Sequence, residues 1–361
     1  MLHIVRKLAR SLKRRVFYVT GWRRKQRCVF DYTSEPGERS PKADRLVAYC
    51  LGDFSNRPPV RCSRSRRYLR RKSILMLRTD REGIVTYSNA SQTTWDQKKV
   101  VDALVSQRAK IPAGLNSWLI RGDSAGQTSD PKQGVHLSGM RPASRRDLVL
   151  VPTACRKRYL GMNLARQLDE LHESWVPWEE KSDTVWWGGA LTGDWWKDHE
   201  PRTLTRREVL QYFLDHPSDQ VCCHLTELPQ KVELPSGHAI ERQFTKQSAF
   251  SHKCLLLLPG NDIASGSSWY FAGNSVVLMP RPHLEHILYF EMEPWQHYVP
   301  LENDPADVLV KLRWVQKNQE AAQKIVANSH ERLRWLCGPE YLWACNEVLR
   351  RIAEPAANSA G

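Results

Sequence analysis

The feature that most constrains this chain is the regular alternation of apolar strand and helix that begins after Val176-Pro177-Trp178. Residues 184–187, 220–224, 253–258 and 275–279 read as strands, and residues 206–214 read as a helix between the first two. The run Leu255-Leu256-Leu257-Leu258 has no polar alternation, as expected of a strand covered on both faces. Strands alternating with helices predict parallel α/β layers. Three helices are expected at the C-terminus, over 306–317, 319–334 and about 339–352, before a frayed tail at 355–361.

Upstream the signals are more local. Residues 35–66 are rich in Pro, Ser, Gly and Arg and read as an irregular connector. Residues 74–77 and 84–87 flank Asp80-Arg81-Glu82-Gly83 as a hairpin. Thr94 or Asp96 caps a helix running to about Ala109. Short buried strands are expected at 118–120 and 148–151, with a helical stretch from about 156 to 171.

Charge is unevenly spread over the 361 residues, which are long enough for two ordinary domains. The formal balance is +15, yet ten Lys or Arg precede the first acidic residue, Asp31. A second cluster, Arg61 to Lys72, follows, and the chain is close to balanced after about residue 160. Such a basic front predicts attraction to an anionic partner. Leu2, Val5, Leu8, Ala9, Leu12 and Val16 recur at helical spacing among Arg6, Lys7, Arg10, Lys13 and Arg14. That is the pattern of a helix lying on an anionic membrane surface through residues 1–20. A helix packed on the body, or a basic tail, fits the same residues. A nucleic-acid-binding protein is the competing reading of the charge, but no recognisable module supports it and no specific nucleic acid is expected.

The nine Cys show neither CxxC nor Cys/His spacing, so no zinc site or disulfide framework is expected. No apolar stretch approaches the roughly 20 residues of a membrane helix, and basic residues interrupt any signal-peptide core. A cytoplasmic protein, peripheral on the inner face of the membrane, is expected.

The stretch that carries chemistry is Leu255-Leu256-Leu257-Leu258-Pro259-Gly260-Asn261-Asp262-Ile263-Ala264-Ser265-Gly266. An apolar strand runs into a loop of small residues and then a helix. In an open α/β sheet ligands bind at the carboxyl ends of strands, and small residues let backbone N–H groups approach a phosphate. A plain strand-to-helix turn has the same composition. The spacing is neither a Walker loop nor GxGxxG.

This loop, followed by Gly273-Asn274-Ser275-Val276-Val277-Leu278 and Glu293-Pro294-Trp295-Gln296-His297-Tyr298-Val299-Pro300, resembles glycosyltransferase family 90, most closely its bacterial branch. Pro177-Trp178-Glu179-Glu180-Lys181 and Trp187-Gly188-Gly189-Ala190-Leu191-Thr192-Gly193 are similar to a further region of that family. The resemblance implies a GT-B-like fold, two Rossmann-like domains facing a cleft with a helical C-terminus. The expected organisation is a basic segment at 1–30, a connector at 31–72, an acceptor-side α/β domain at 73–180, a nucleotide-sugar-binding α/β domain at 181–335, and a C-terminal helix and tail at 336–361.

The resemblance further implies a transferase that moves a hexose or pentose from a nucleotide sugar, UDP-linked by analogy, to a hydroxyl of a cell-surface glycan or lipopolysaccharide precursor. Inversion without a metal is expected, and no cofactor beyond the nucleotide-sugar co-substrate. Donor-binding residues would be Trp187, Gly189, Thr192, Gly193, Arg206, Lys253, Gly260, Asn261, Asp262, Ser265, Gly266, Asn274 and Ser275. Asp123 is the expected base for the acceptor hydroxyl, with Asp262 second, although either Asp equally suits a turn or a helix cap. Trp195 and Trp196 are expected at the glycan or glycolipid acceptor, while core packing is the default for Trp186 and Trp187. Two departures stand out: Gly188 replaces an Arg of the family's Trp-Arg-Gly, and Gly266 replaces an Arg of its donor loop. Two phosphate-facing cations are thus missing, which leaves a catalytically silent sugar-binding relative as the alternative.

Overall fold

The computed structural model describes residues 37–53, 136–150, 168, 170–193, 202–227, 244–261, 263–264 and 266–353, together with four short strands further upstream. The expected helices at 1–20 and 94–109, and most of that at 156–171, lie outside these residues, as do Asp123, Trp195, Trp196, Asp262 and Ser265. The chain divides into two compact units, Met1–Thr153 with Pro339–Gly361, and Ala154–Gly338.

The first unit holds a six-stranded mixed sheet of β1 (Arg24–Gln26), β2 (Ile74–Thr79), β3 (Val85–Ser88), β4 (Asn116–Ile120), β5 (His136–Ser138) and β6 (Val149–Leu150), in the order β1-β3-β2-β4-β5-β6. The expected hairpin is present, with β2 and β3 antiparallel. Residues 41–51, read from composition as part of an irregular connector, form instead a helix, α1 (Pro41–Leu51). Ser40 accepts the amide of Ala43 at its N-cap and Pro41 opens its first turn, where a missing N–H costs nothing. Ala43, Leu46, Val47, Cys50 and Leu51 fall on one face and are buried. The guanidinium of fully buried Arg141 donates to Tyr49 O and Cys50 O, satisfying carbonyls in the last turn of this helix. The C-terminal helix of the chain (Pro339–Ala353) packs along α1.

The second unit is built on five parallel strands: β7 (Ser182–Ala190), β8 (Val221–Glu227), β9 (His252–Leu256), β10 (Val276–Pro280) and β11 (Val299–Leu301). Their spatial order is β11-β10-β9-β7-β8, so the sheet runs one way from its first strand to the second and the other way from the first to the third. The helices α2 (Arg206–Asp215), α3 (Lys246–Phe250), α4 (Ser267–Ala272), α5 (Asp307–Lys317) and α6 (Gln319–Trp335) complete the alternation. All five residues of β10 are buried, as a strand covered on both faces requires. Val185, Trp187, Leu204, Val209, Leu256, Leu278, Val308, Leu312 and Ile325 share one core. Trp186, one residue along β7, points to the other face and meets His224, Phe244, Trp269 and Tyr270. Both indoles are thus interior. Among the described residues no helix is long and apolar enough to cross a membrane.

Candidate active site at the carboxyl edge of the parallel sheet

In a doubly wound sheet, the connections leaving two neighbouring strands go to opposite faces where the strand order reverses, and a crevice opens outside their carboxyl ends. Here that point lies between β7 and β9. The chain leaves β7 through Leu191-Thr192-Gly193 and leaves β9 through Leu257 to Asn261. The two loops touch: the Gly193 amide donates to Asn261 Oδ1 at 3.1 Å. Gly193 has a φ of +85°, and a Cβ there would collide with the Gly260 carbonyl, so only glycine allows this approach.

Arg206 fastens the same two strand ends. Its Nη1 donates to Ala190 O at 2.7 Å and to Thr192 Oγ1 at 2.9 Å, while Nε and Nη2 reach Leu258 O at 3.3 and 3.1 Å. Local sequence aims it: Thr205 and Glu208 form a reciprocal capping box, which fixes Arg206 as the first residue of α2. The guanidinium is buried and directed at carbonyls, so its structural work is to brace the crevice.

The aromatic face of β7 leaves no room for a side chain at position 188. A Cβ on Gly188 would collide with the Trp186 ring. The indole therefore fills the space that a side chain at 188 would need, and Tyr270 closes over it, its hydroxyl donating to Gly188 O at 3.4 Å. Burial pushes the Tyr270 phenol well above its usual range, so it stays protonated and keeps that donor.

Next to this crevice, at the carboxyl ends of β9 and β10, lies a shallow, partly open cleft. Leu257, Leu258, Ile263, Ala264 and Met279 make it apolar, and Arg281, His283 and Tyr289 add polar groups. Burial lowers the His283 pKa to about 4, which leaves that imidazole neutral at pH 7.

Of the residues expected at a donor site, Gly189, Thr192, Gly193, Arg206, Gly260, Asn261 and Gly266 belong to the carboxyl-edge loops or the helix starts beside them, and Trp187 packs in the core beneath. The structure does not bring Lys253, Asn274 and Ser275 to that edge. They precede or begin β9 and β10, and a parallel strand rising ~3.3 Å per residue puts roughly 16 Å between Lys253 and Leu258. At that opposite edge Lys253 pairs with Asp183 at 2.6 Å and lies 5.7 Å from the Trp178 ring. Asn274 Oδ1 and Ser275 Oγ accept from the buried ammonium of Lys181 at 2.9 and 3.0 Å, and Phe250 O accepts its third bond.

Lys181, Trp186, Tyr270 and Arg281 were not expected as site or edge residues. The Thr205-Arg206-Arg207-Glu208 cap and the Pro280-Arg281-Pro282 triplet are the sequence signals that mark the helix start and the strand end. Among the described residues no group of three or more His, Cys, Asp or Glu could hold a metal ion.

The family match falls within this unit. Residues 163–335 match the family model described as Glycosyl transferase family 90. O-glucosyltransferase LpsA of Dichelobacter nodosus is 27% identical over 183 residues, 50% of this chain and 52% of that protein. Protein O-glucosyltransferase 3 of Homo sapiens is 34% identical over 107 residues, 29% of this chain and 21% of that protein. The match to protein O-glucosyltransferase 1 of Rattus norvegicus is 23% identical over 150 residues, 41% of this chain and 36% of that protein. The chain therefore spans about half of the bacterial relative and about a fifth of the human one.

Proposed function

We propose, from the match of residues 163–335 to the family model of glycosyl transferase family 90, that this protein transfers a hexose, glucose first among them, from a nucleotide sugar to a hydroxyl group. The observation that carries this reading is the braced crevice at the strand-order reversal, which lies inside the matched segment. Backbone N–H groups at the carboxyl ends of strands at such a point suit the binding of a diphosphate. Glucose is favoured because the matched proteins are named O-glucosyltransferases. A UDP-linked donor and an acceptor on a cell-surface glycan or lipopolysaccharide precursor complete the reading, with the basic N-terminal segment on the anionic inner face of the membrane.

In this proposal the two units work in a GT-B-like manner, the second holding the donor and the first the acceptor. The acceptor oxygen attacks the anomeric carbon, and its proton passes to a carboxylate, Asp123 before Asp262. The bond from the anomeric carbon to the β-phosphate oxygen breaks, and the nucleoside diphosphate leaves with the electron pair. No step requires a metal.

The test is donor hydrolysis by the purified full-length protein over UDP-, GDP-, CDP- and ADP-linked sugars, with thermal shifts on adding each nucleotide. Turnover of one nucleotide hexose is expected. A nucleotide-induced shift without turnover of any donor would replace the enzyme by a sugar-binding relative. Neither turnover nor shift would sink the donor-site reading altogether.

A further inference from the structure

A diphosphate carries more negative charge than backbone amides alone compensate, and the loops that leave the two strands, residues 191–193 and 257–266, contain no Lys or Arg. Position 188 is also closed to any side chain by the Trp186 indole. A compensating cation must come from another element. Lys181 is enclosed by three acceptors and Lys253 by Asp183, and both stand at the amino edge of the sheet. Arg206 is at the right edge but buried against the carbonyls of Ala190 and Leu258.

Arg281 differs from all three. It directly follows β10 at the carboxyl edge, is exposed, and lines the shallow cleft. Its guanidinium acts electrostatically on the Tyr298 phenol, and it forms no ion pair with a carboxylate among the described residues. The residues on either side are Pro280 and Pro282. Each proline fixes its own φ, and Pro282 disfavours helical backbone at Arg281, which narrows the directions its side chain can take. The cleft walls beside it, Leu258, Ile263, Ala264 and Met279, are apolar, and a charge pair formed against them is less screened than one in open water.

We propose that Arg281 is the cation that receives the diphosphate of the donor. The assignment rests on the nucleotide-sugar reading. A planar guanidinium can take two phosphate oxygens at once, whereas an ammonium acts as a point charge.

The experiment is calorimetric titration of the full-length protein with UDP and GDP, each compared with its nucleoside. The wild type is set beside Arg281→Ala, Arg281→Lys and the charge-matched control Lys324→Ala, taken from an exposed position of α6. For the nucleotide that the wild type binds, Arg281→Ala is expected to lose about 10- to 100-fold in affinity, since a charged hydrogen bond is removed. Nucleoside affinity should be unchanged, Arg281→Lys intermediate and Lys324→Ala like the wild type. Equal nucleotide affinity in wild type and Arg281→Ala overturns the assignment while leaving the donor reading intact. An equal loss for nucleotide and nucleoside also overturns it, because the effect is then not on the phosphates. A wild type that binds neither nucleotide overturns the donor reading and the assignment together.

Discussion

The two edges of the parallel sheet are both rich in polar groups, yet they are built to opposite ends. At the amino edge the cations are enclosed: Lys181 by Phe250 O, Asn274 and Ser275, and Lys253 by Asp183 and the Trp178 ring. At the carboxyl edge one cation, Arg206, draws two loops together, and Gly193 lets them pack in direct contact. Strand β7 joins them, with Lys181 before its start and Gly188 to Gly193 along its end. The lesson is that a polar cluster inside a family-matched segment is a binding site only where its groups are not already spent on one another.

Substitutions should separate the edges, and the largest effect is expected from Arg206→Ala. It strips donors from Ala190 O, Thr192 Oγ1 and Leu258 O together, which should cost about 3 kcal/mol in urea unfolding. Nucleotide binding should fall with it, because the crevice loses its brace. Retained stability and binding would mean that Arg206 braces nothing.

Lys181→Met gives a middle effect with a pH signature. Burial lowers the Lys181 pKa from 10.5 to about 7, against a smaller raising contribution from Cys254. Between those values the unfolded chain binds more protons than the folded one, so this group makes stability rise with pH. Wild-type stability relative to Lys181→Met, measured by urea unfolding at pH 6.5 and pH 9, should therefore increase at the higher pH. A pH-independent difference would show that the folded ammonium is not destabilised by burial.

The smallest effect is expected from Lys253→Met. Loss of its pair with exposed Asp183 should cost about 1 kcal/mol, and nucleotide affinity should not change. A clear loss of nucleotide binding would return Lys253 to the donor site and erase the distinction between edges.

Much of this architecture was legible in the residues. The unbroken apolar runs at 254–258 and 276–279 mark two central strands of a covered parallel sheet, and Arg206–Asp215 and Gln319–Trp335 form helices where the alternation placed them. The helix at Pro41–Leu51 was missed because proline, serine and glycine weighed as connector composition. Ser40 and Pro41 are in fact its cap and first turn, and the apolar positions 43, 46, 47, 50 and 51 keep helical spacing. The site was grouped by nearness in sequence, which mixed Lys253, Asn274 and Ser275 with Gly260 and Asn261. Strand direction separates them, since residues before and after a parallel strand lie at opposite edges. The strand order was not legible at all, because adjacency of β7 and β9 depends on packing between segments some 60 residues apart. Nor could spacing show that the Trp186 ring occupies the space beside Gly188.

Hydrogen–deuterium exchange of the full-length protein with and without UDP-glucose tests the central claim most directly. Slower exchange is expected at the carboxyl edge, in residues 190–193, 258–264 and 281–284, with no change at 252–254 or 274–276. Protection at the amino edge, or none at either edge at saturating donor, would contradict the account.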